Sequence, residues 1–114
     1  APGREARHLA LMDRLDYAGW NAQDWDVFAE VLAADVRSVG FGQAATGVEP
    51  LVEYLTPIRA SHPEFTIESH PIRIAVGDWT VVTGRFTGGQ TMATIARWAD
   101  ERIAEEYVFR LDEG

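Results

Sequence analysis

Up to about Ser61 the apolar residues of this chain recur at helical spacing, and from Phe65 onward they alternate. That switch of period constrains the fold more than any other feature, because a 3.6-residue stripe and a two-residue alternation cannot share one kind of element. The helical half turns on Arg7 to Asp26, RHLALMDRLDYAGWNAQDWD. At about 100° per residue, Leu11, Leu15, Ala18, Gly19, Met12, Leu9 and Trp20 fall on one apolar arc. Asp16 falls inside it, between Met12 and Leu9, whereas Arg14, Tyr17 and Ala10 fall outside. A carboxylate in the middle of a buried face is costly unless something satisfies it. Asp16 is therefore either a bonded structural group or an acid in a pocket.

The spacing predicts a first helix from about Glu5 to Trp20, after a frayed end at Ala1 to Arg4, and a turn at Asn21 to Gln23. Asp24 is a suitable N-cap for a second helix, WDVFAEVLA. Val36 to Phe41 reads as a short strand. Thr46 and Glu49 have the spacing of a capping box, with Pro50 early in a third helix and Pro57 expected to end or kink it. SHPE (61–64) reads as a turn. In FTIESHPIRIAV the apolar parity slips by one across His70 and Pro71, as at a β-bulge. GDWTVVTGRFT and QTMATIARW follow, joined by a two-residue turn at Gly88-Gly89, and RIAEEYVFRL is the last strand. The order is helix, helix, strand, helix, then four antiparallel strands. This predicts segregated α+β architecture, a curved sheet with helices over one face and a cavity beneath the first helix.

Composition excludes several classes of function. The 114 residues suit one domain, and the net charge of −8 repels nucleic-acid phosphates and anionic lipid. There is no Cys, and His8, His62 and His70 lie far apart, so no metal site is expected. No run approaches the roughly 18 apolar residues of a membrane span. The N-terminus has no signal-peptide pattern, and the default expectation is a cytoplasmic protein.

WNAQDWDVFAEVLAADV, TGVEPLVEYL, HPEF, AVGDWTVVTGRFTG and ARWADERIAEEYVF, in this order, resemble the SnoaL-like proteins of the nuclear transport factor 2-like superfamily, alongside ketosteroid isomerase and scytalone dehydratase. The resemblance covers nearly the whole chain and implies a single SnoaL-like domain over 1–114. It implies a cystatin-like cone, a strongly curved antiparallel sheet packed on about three N-terminal helices, often dimeric through the other sheet face. The fold hosts cyclases, isomerases, dehydratases, epoxide hydrolases and non-catalytic binders. SnoaL-type cyclases carry an acid where Val108 stands here. The ketosteroid isomerase base falls near Gly40, its oxyanion acid near Thr94 and its oxyanion Tyr at Asp16. Scytalone dehydratase has an Asp on the corresponding helix, similar in kind to Asp16. Tyr54 matches a position that lines the pocket.

Asp16 is the sharpest candidate for a general acid or base, since an apolar pocket raises a carboxyl pKa. Glu105 and Glu106 point to opposite faces of the last strand. The family pattern turns Glu106, Val108 and Arg110 inward; a tight turn at Asp100 would pair Trp98 with Ile103 and favour Glu105, Tyr107 and Phe109. With a two-residue turn at Gly88-Gly89, Arg85 lies opposite Met92, Thr83 opposite Thr94, Val81 opposite Ala96 and Trp79 opposite Trp98. If that face is concave, Arg85 could pair with Asp16 or bind an anionic oxygen; otherwise it is a surface residue. His70 sits at the bulge, which can aim a side chain toward a site. Trp20, Tyr54, Thr94 and Trp98 are candidate pocket walls.

These readings converge on a small-molecule pocket protein. If catalytic, it would perform cofactor-free acid/base work of the cyclase, isomerase or dehydratase type on an apolar, oxygenated substrate. Asp16, Arg85, His70 and Glu106 are the candidate catalytic residues, and no cofactor is implied. The competing class is a non-catalytic ligand-binding or dimerisation module, favoured by the missing acids at Gly40, Thr94 and Val108. A cavity filled by Trp20 and Trp98 would exclude catalysis. A homodimer is expected because both parities of the last strand and its hairpin partner carry apolar residues.

Overall fold

The structure, a computed structural model, describes residues 3–40 and 42–111. Phe41, expected to end the first strand, lies outside the described residues, as do residues 1–2 of the frayed end expected at Ala1 to Arg4, of which Arg4 already belongs to the first helix. The elements are α1 (Arg4–Arg14), a π-helical segment (Leu15–Asn21), α2 (Trp25–Val31), β1 (Leu32–Gly40), β2 (Gln43–Thr46), α3 (Val48–Ser61), a 3-10 turn (Pro63–Phe65), β3 (Ile67–Ser69), β4 (Arg73–Val76), β5 (Trp79–Phe86), β6 (Thr91–Ala99) and β7 (Arg102–Leu111). The sheet runs β2-β1-β7-β6-β5-β3, with β4 also paired to β5. The architecture is α+β, as the change of period requires. No helix among the described residues is long and apolar enough to cross a membrane.

The sheet is mixed rather than purely antiparallel. β1 runs parallel to β7, with Arg37 opposite Glu105 and Ser38 opposite Glu106. α3 and five further strands lie between them in sequence, which gives the crossover that parallel pairing needs. β2 folds back on β1, with Gly40 opposite Gln43; its residues, QAAT, carry little β propensity and gave no strand signal.

Three local expectations give way to tertiary packing. Asp24 precedes α2, but its side chain makes no cap bond. The Thr46–Glu49 capping box does not form either: α3 starts after Gly47, at φ 98°, without a side-chain cap. Pro57 does not end α3, which continues to Ser61. Thr56 Oγ1 donates to the Val52 carbonyl at 2.6 Å in that turn, and the buried Arg59 anchors the turn beyond.

The β5–β6 connection is a three-residue loop. The Gly89 N–H donates to the Phe86 carbonyl at 2.9 Å, and the Phe86 N–H donates to the Gln90 carbonyl at 2.8 Å. Gly89 holds φ 95°, which an L side chain rarely adopts. One extra loop residue slips the register by one. Arg85 faces Thr91, Thr83 faces Ala93, Val81 faces Ile95 and Trp79 faces Arg97. Such a slip moves a side chain to the other sheet face.

At the β6–β7 turn, Trp98 pairs with Ile103 while Arg97 pairs with Glu105, leaving Ala104 as an extra residue. This bulge reconciles two expectations that excluded each other. Ile103 and Glu106 both face the helices, and both are buried. Glu105 lies on the opposite face, held by Arg97 Nε and Tyr107 Oη.

Gly40 lies where this strand approaches β7: a Cβ there would stand 2.7 Å from Val108 Cβ. The Gly40→Ala variant is therefore expected to lose roughly 1–3 kcal/mol of stability, the usual cost of overpacking. Urea unfolding measures it, and an unchanged midpoint would show that the strands part freely.

Candidate functional site

Packing at the end of the first helix places Asp16. The π-helical segment carries Leu15, Asp16, Gly19 and Trp20 inward; such widened turns are frequent at functional sites. Its last carbonyls are held by a cation, as suits a helix C-terminus. Arg59 donates from Nε to the Trp20 carbonyl at 3.1 Å and from Nη2 to the Asn21 carbonyl at 3.0 Å. Asn21 ties the same segment to β3: Nδ2 donates to the Ile67 carbonyl at 2.6 Å and Oδ1 accepts from the Ile67 N–H at 2.8 Å. Trp20 Nε1 donates to the Phe65 carbonyl at 2.7 Å. These bonds fix the segment against the strand that leads to His70.

His70 lies in the break between β3 and β4, both of which pair with β5. Its Nε2 is 2.7 Å from Asp16 Oδ2 and its Nδ1 is 2.8 Å from Asp13 Oδ1. The ring is 1% exposed, Asp16 9% and Asp13 32%, so the row runs from the interior outward. Arg73 Nη2 donates to Asp13 Oδ2 at 2.6 Å. Tyr17 stacks on the ring at 4.8 Å. Burial works against a charged His70, but its bonds and charge interactions with Asp16 and Asp13 outweigh that and raise its pKa. Burial raises the Asp16 carboxyl above its ordinary range, while the bond to His70 offsets part of the rise.

Asp16 lines a small cavity of about 50 Å³ with Met12, Leu15, Trp20, Phe28, Thr94, Glu106 and Val108 among its walls. Glu106 is the second carboxyl on this space. Its Oε2 accepts from Ser38 Oγ at 2.7 Å. Burial, reinforced by the Asp16 charge and opposed by the Ser38 bond, pushes Glu106 up to about 7. Tyr54 and Glu106 share a smaller space of about 30 Å³ beside it. Phe86, Met92 and Val108 are common to the inner cavity and an open vestibule of about 550 Å³, whose walls include Ile58, Phe65, Gln90 and Phe109.

The structure thus brings together Asp16, His70, Glu106, Trp20 and Thr94, with Tyr54 on the adjoining space. It separates Arg85 and Trp98 from them. Arg85 points to the opposite sheet face, 58% exposed and 3.5 Å from Glu68, because of the slipped hairpin register. Trp98 is buried beneath α1, stacked on His8 at 4.5 Å with Nε1 donating to Thr80 Oγ1 at 2.9 Å. It is core rather than a wall of the Asp16 cavity, and that cavity is not filled by it. Val108 faces the cavity, at the position where the resemblance to the cyclases implied an acid. The near contact at Gly40 leaves no room for a side chain there. Sequence reasoning missed Asp13, Arg73 and Ser38. Asp13 had a signal: it lies three residues before Asp16, on the same side of a helix. Among the described residues no His, Cys, Asp and Glu group is placed to hold a metal ion.

A curved sheet covered on one face by helices is the fold of the nuclear transport factor 2-like proteins. The SnoaL-like domain matches residues 16–106, and the chain belongs to that family, which includes polyketide cyclases and isomerases. A SnoaL-like protein of unknown function from Burkholderia thailandensis superposes with a TM-score of 0.80 at 18% identity, over 97% of this chain and 100% of that one. A Jannaschia protein provisionally named a SnoaL-like polyketide cyclase gives 0.76 at 23% identity, over 96% and 89%. A nuclear transport factor 2-like protein of unknown function from Mesorhizobium loti gives 0.75 at 17%, over 98% and 97%. At these identities the likeness is one of fold. No curated protein matches the sequence.

The buried Glu106 makes stability depend on pH. Its folded pKa of about 7 lies above the ordinary 4.5. Its contribution is therefore full below about 4.5, declines as pH rises and is lost above about 7. Glu106→Gln, which removes the charge, is expected to be more stable than wild type by roughly 1–3 kcal/mol at pH 8 and nearly equal to it at pH 4.5. Denaturant unfolding at the two pH values measures this. Equal destabilisation at both would mean that the carboxylate is paired.

Proposed function

We propose that the protein binds an uncharged, largely apolar molecule with a small oxygen-bearing head group and moves protons on it without a cofactor. The reaction would be of the isomerase, cyclase or dehydratase type. One observation carries this reading: two buried carboxyls in different environments share one apolar cavity, which is how a site divides acid and base roles. Asp16, held by His70, is the base that takes a proton from the substrate. Glu106, protonated up to about neutral pH, donates to or hydrogen-bonds the substrate oxygen. Trp20 and Thr94 are walls against the head group, and Tyr54 borders the adjoining space.

Size supports a division of the ligand. The inner cavity of about 50 Å³ would hold only a few atoms, since one water needs roughly 10–15 Å³ by the same measure. The vestibule, at about 550 Å³, is of ordinary ligand size. A compact head would sit between the carboxyls and an apolar body among Ile58, Phe65, Phe86 and Phe109. The acidic surface and the two carboxyls disfavour an anionic ligand.

The small inner cavity also favours a second reading, a binding module of the same fold without turnover. Solvent exchange separates the two. In D2O, the protein is expected to speed exchange at the carbon next to the carbonyl in a panel of apolar cyclic ketones. Asp16→Asn should lower that rate by about 100-fold or more. Ligand-induced shifts without any exchange would support the binding module instead.

A homodimer through the outer sheet face is part of this reading. Ile74 faces Val81, and Val81 faces Ile95, on the side away from the helices. Ile74 is 50% exposed and Val76 69%; large apolar side chains so placed mark an interaction surface. Light scattering is expected to give twice the chain mass for wild type and the monomer mass for Ile74→Asp. A monomeric wild type at high concentration would contradict it.

A further inference from the structure

Resting on the reading of Asp16 as the base, we propose that Asp13 is a positioning residue and the outer end of a proton relay. The relay runs Asp16, His70, Asp13 and exchanges the proton of the buried carboxyl with solvent at the surface, by a route separate from the vestibule. Three observations carry it. Both ring nitrogens of His70 are bonded to carboxylates, Nε2 to Asp16 at 2.7 Å and Nδ1 to Asp13 at 2.8 Å, so the ring can accept on one side while it donates on the other. Asp16 and the ring are buried, at 9% and 1%, while Asp13 is 32% exposed, so Asp13 meets water and the ring does not. The charges balance: Arg73 on Asp13 and a protonated His70 offset the two carboxylates.

The transfer conserves atoms and charge. Outward, from a protonated Asp16 and a neutral ring with its proton on Nδ1, the Asp16 O–H bond breaks as a bond forms from its proton to the Nε2 lone pair, which gives the imidazolium–carboxylate pair. The Nδ1–H bond breaks as the proton passes to the Asp13 carboxylate, which releases it to water. The ring is left as the Nε2–H tautomer with Asp16 ionised. Inward transfer is the reverse: Asp13 takes a proton from water and Nδ1 accepts it. Each outward pass must be followed by an inward one to restore the first tautomer, so the triad exports one proton and returns one. That suits a reaction in which a proton leaves the substrate and another comes back. The groups facing the ring are Asp13, Asp16 and Tyr17 of the first helix, with Arg73 behind Asp13 and Glu106 interacting with Asp16.

The test uses the ligand-free protein, so its failure is distinct from that of the functional reading, which is judged on ketones. Nitrogen-15 NMR of the imidazole follows the exchange of the His70 ring protons with water. Asp13→Asn keeps the shape of the side chain but cannot shuttle a proton. It should slow exchange of the Nε2 proton by on the order of tenfold or more. It should also lower the His70 pKa, through loss of a charged partner. Asp13→Glu, which retains a carboxylate, should restore most of the exchange rate, and amide spectra of both variants report that the fold is kept. Unchanged Nε2 exchange in a folded Asp13→Asn protein would overturn the relay. So would slowed exchange in Asp13→Glu equal to that in Asp13→Asn, with the His70 pKa unchanged in both.

Discussion

The bond between Asp16 and His70 is the contact on which the rest of the site depends. Asp16 comes from the first helix and His70 from a break in the sheet, 54 residues later. A carboxylate with 6% of its residue surface exposed is costly alone, and an imidazolium at 1% ring exposure is too. Each makes the other tolerable, and Asp13 and Arg73 complete the neutralisation at the edge. Much of the surrounding structure holds the two elements in register. Asn21 pairs with the Ile67 backbone, Trp20 with the Phe65 carbonyl, and Arg59 with the last carbonyls of the widened helix. These are side-chain bonds to backbone groups, which set orientation more than they add stability.

Glu106 stands on the other wall of the cavity under opposite rules. Its bonded partner is a serine hydroxyl, which cannot neutralise it, so burial dominates and the carboxyl keeps its proton to about neutral pH. Asp16 has a cation, and among the described residues Glu106 has none. The cavity therefore offers a proton acceptor and a proton donor at the same pH, from two residues of the same chemical type. The bulge at Ala104 is what permits this. Without the extra residue, either Ile103 or Glu106 would face outward.

The sequence made the class of fold legible because period is a local property. The switch near Ser61, the burial of Asp16 on its arc and the slip at His70 could all be read from spacing. What spacing could not reveal was pairing. One extra residue in the loop after Phe86 moved Arg85 out of the site, since register depends on whether Gly89 takes a positive φ, and Gly88-Gly89 permits two loop lengths. Trp98 joined the core because His8, distant in sequence, stacks on it. Likewise, Ser38 meets Glu106 only because β1 and β7 lie parallel, a crossover with no local signal. The Asp13–Asp16 pair was visible as an i,i+3 spacing, but its meaning required His70 between them.

This cavity holds a neutral carboxyl opposite an ion-paired one. A carbon-detected NMR titration of the side-chain carboxyls tests it most directly, with Glu106 assigned by substitution. The expected Glu106 midpoint is about 7, with Asp16 titrating together with the His70 ring. A Glu106 midpoint at or below the ordinary 4.5, or an Asp16 that titrates independently of His70, would contradict it.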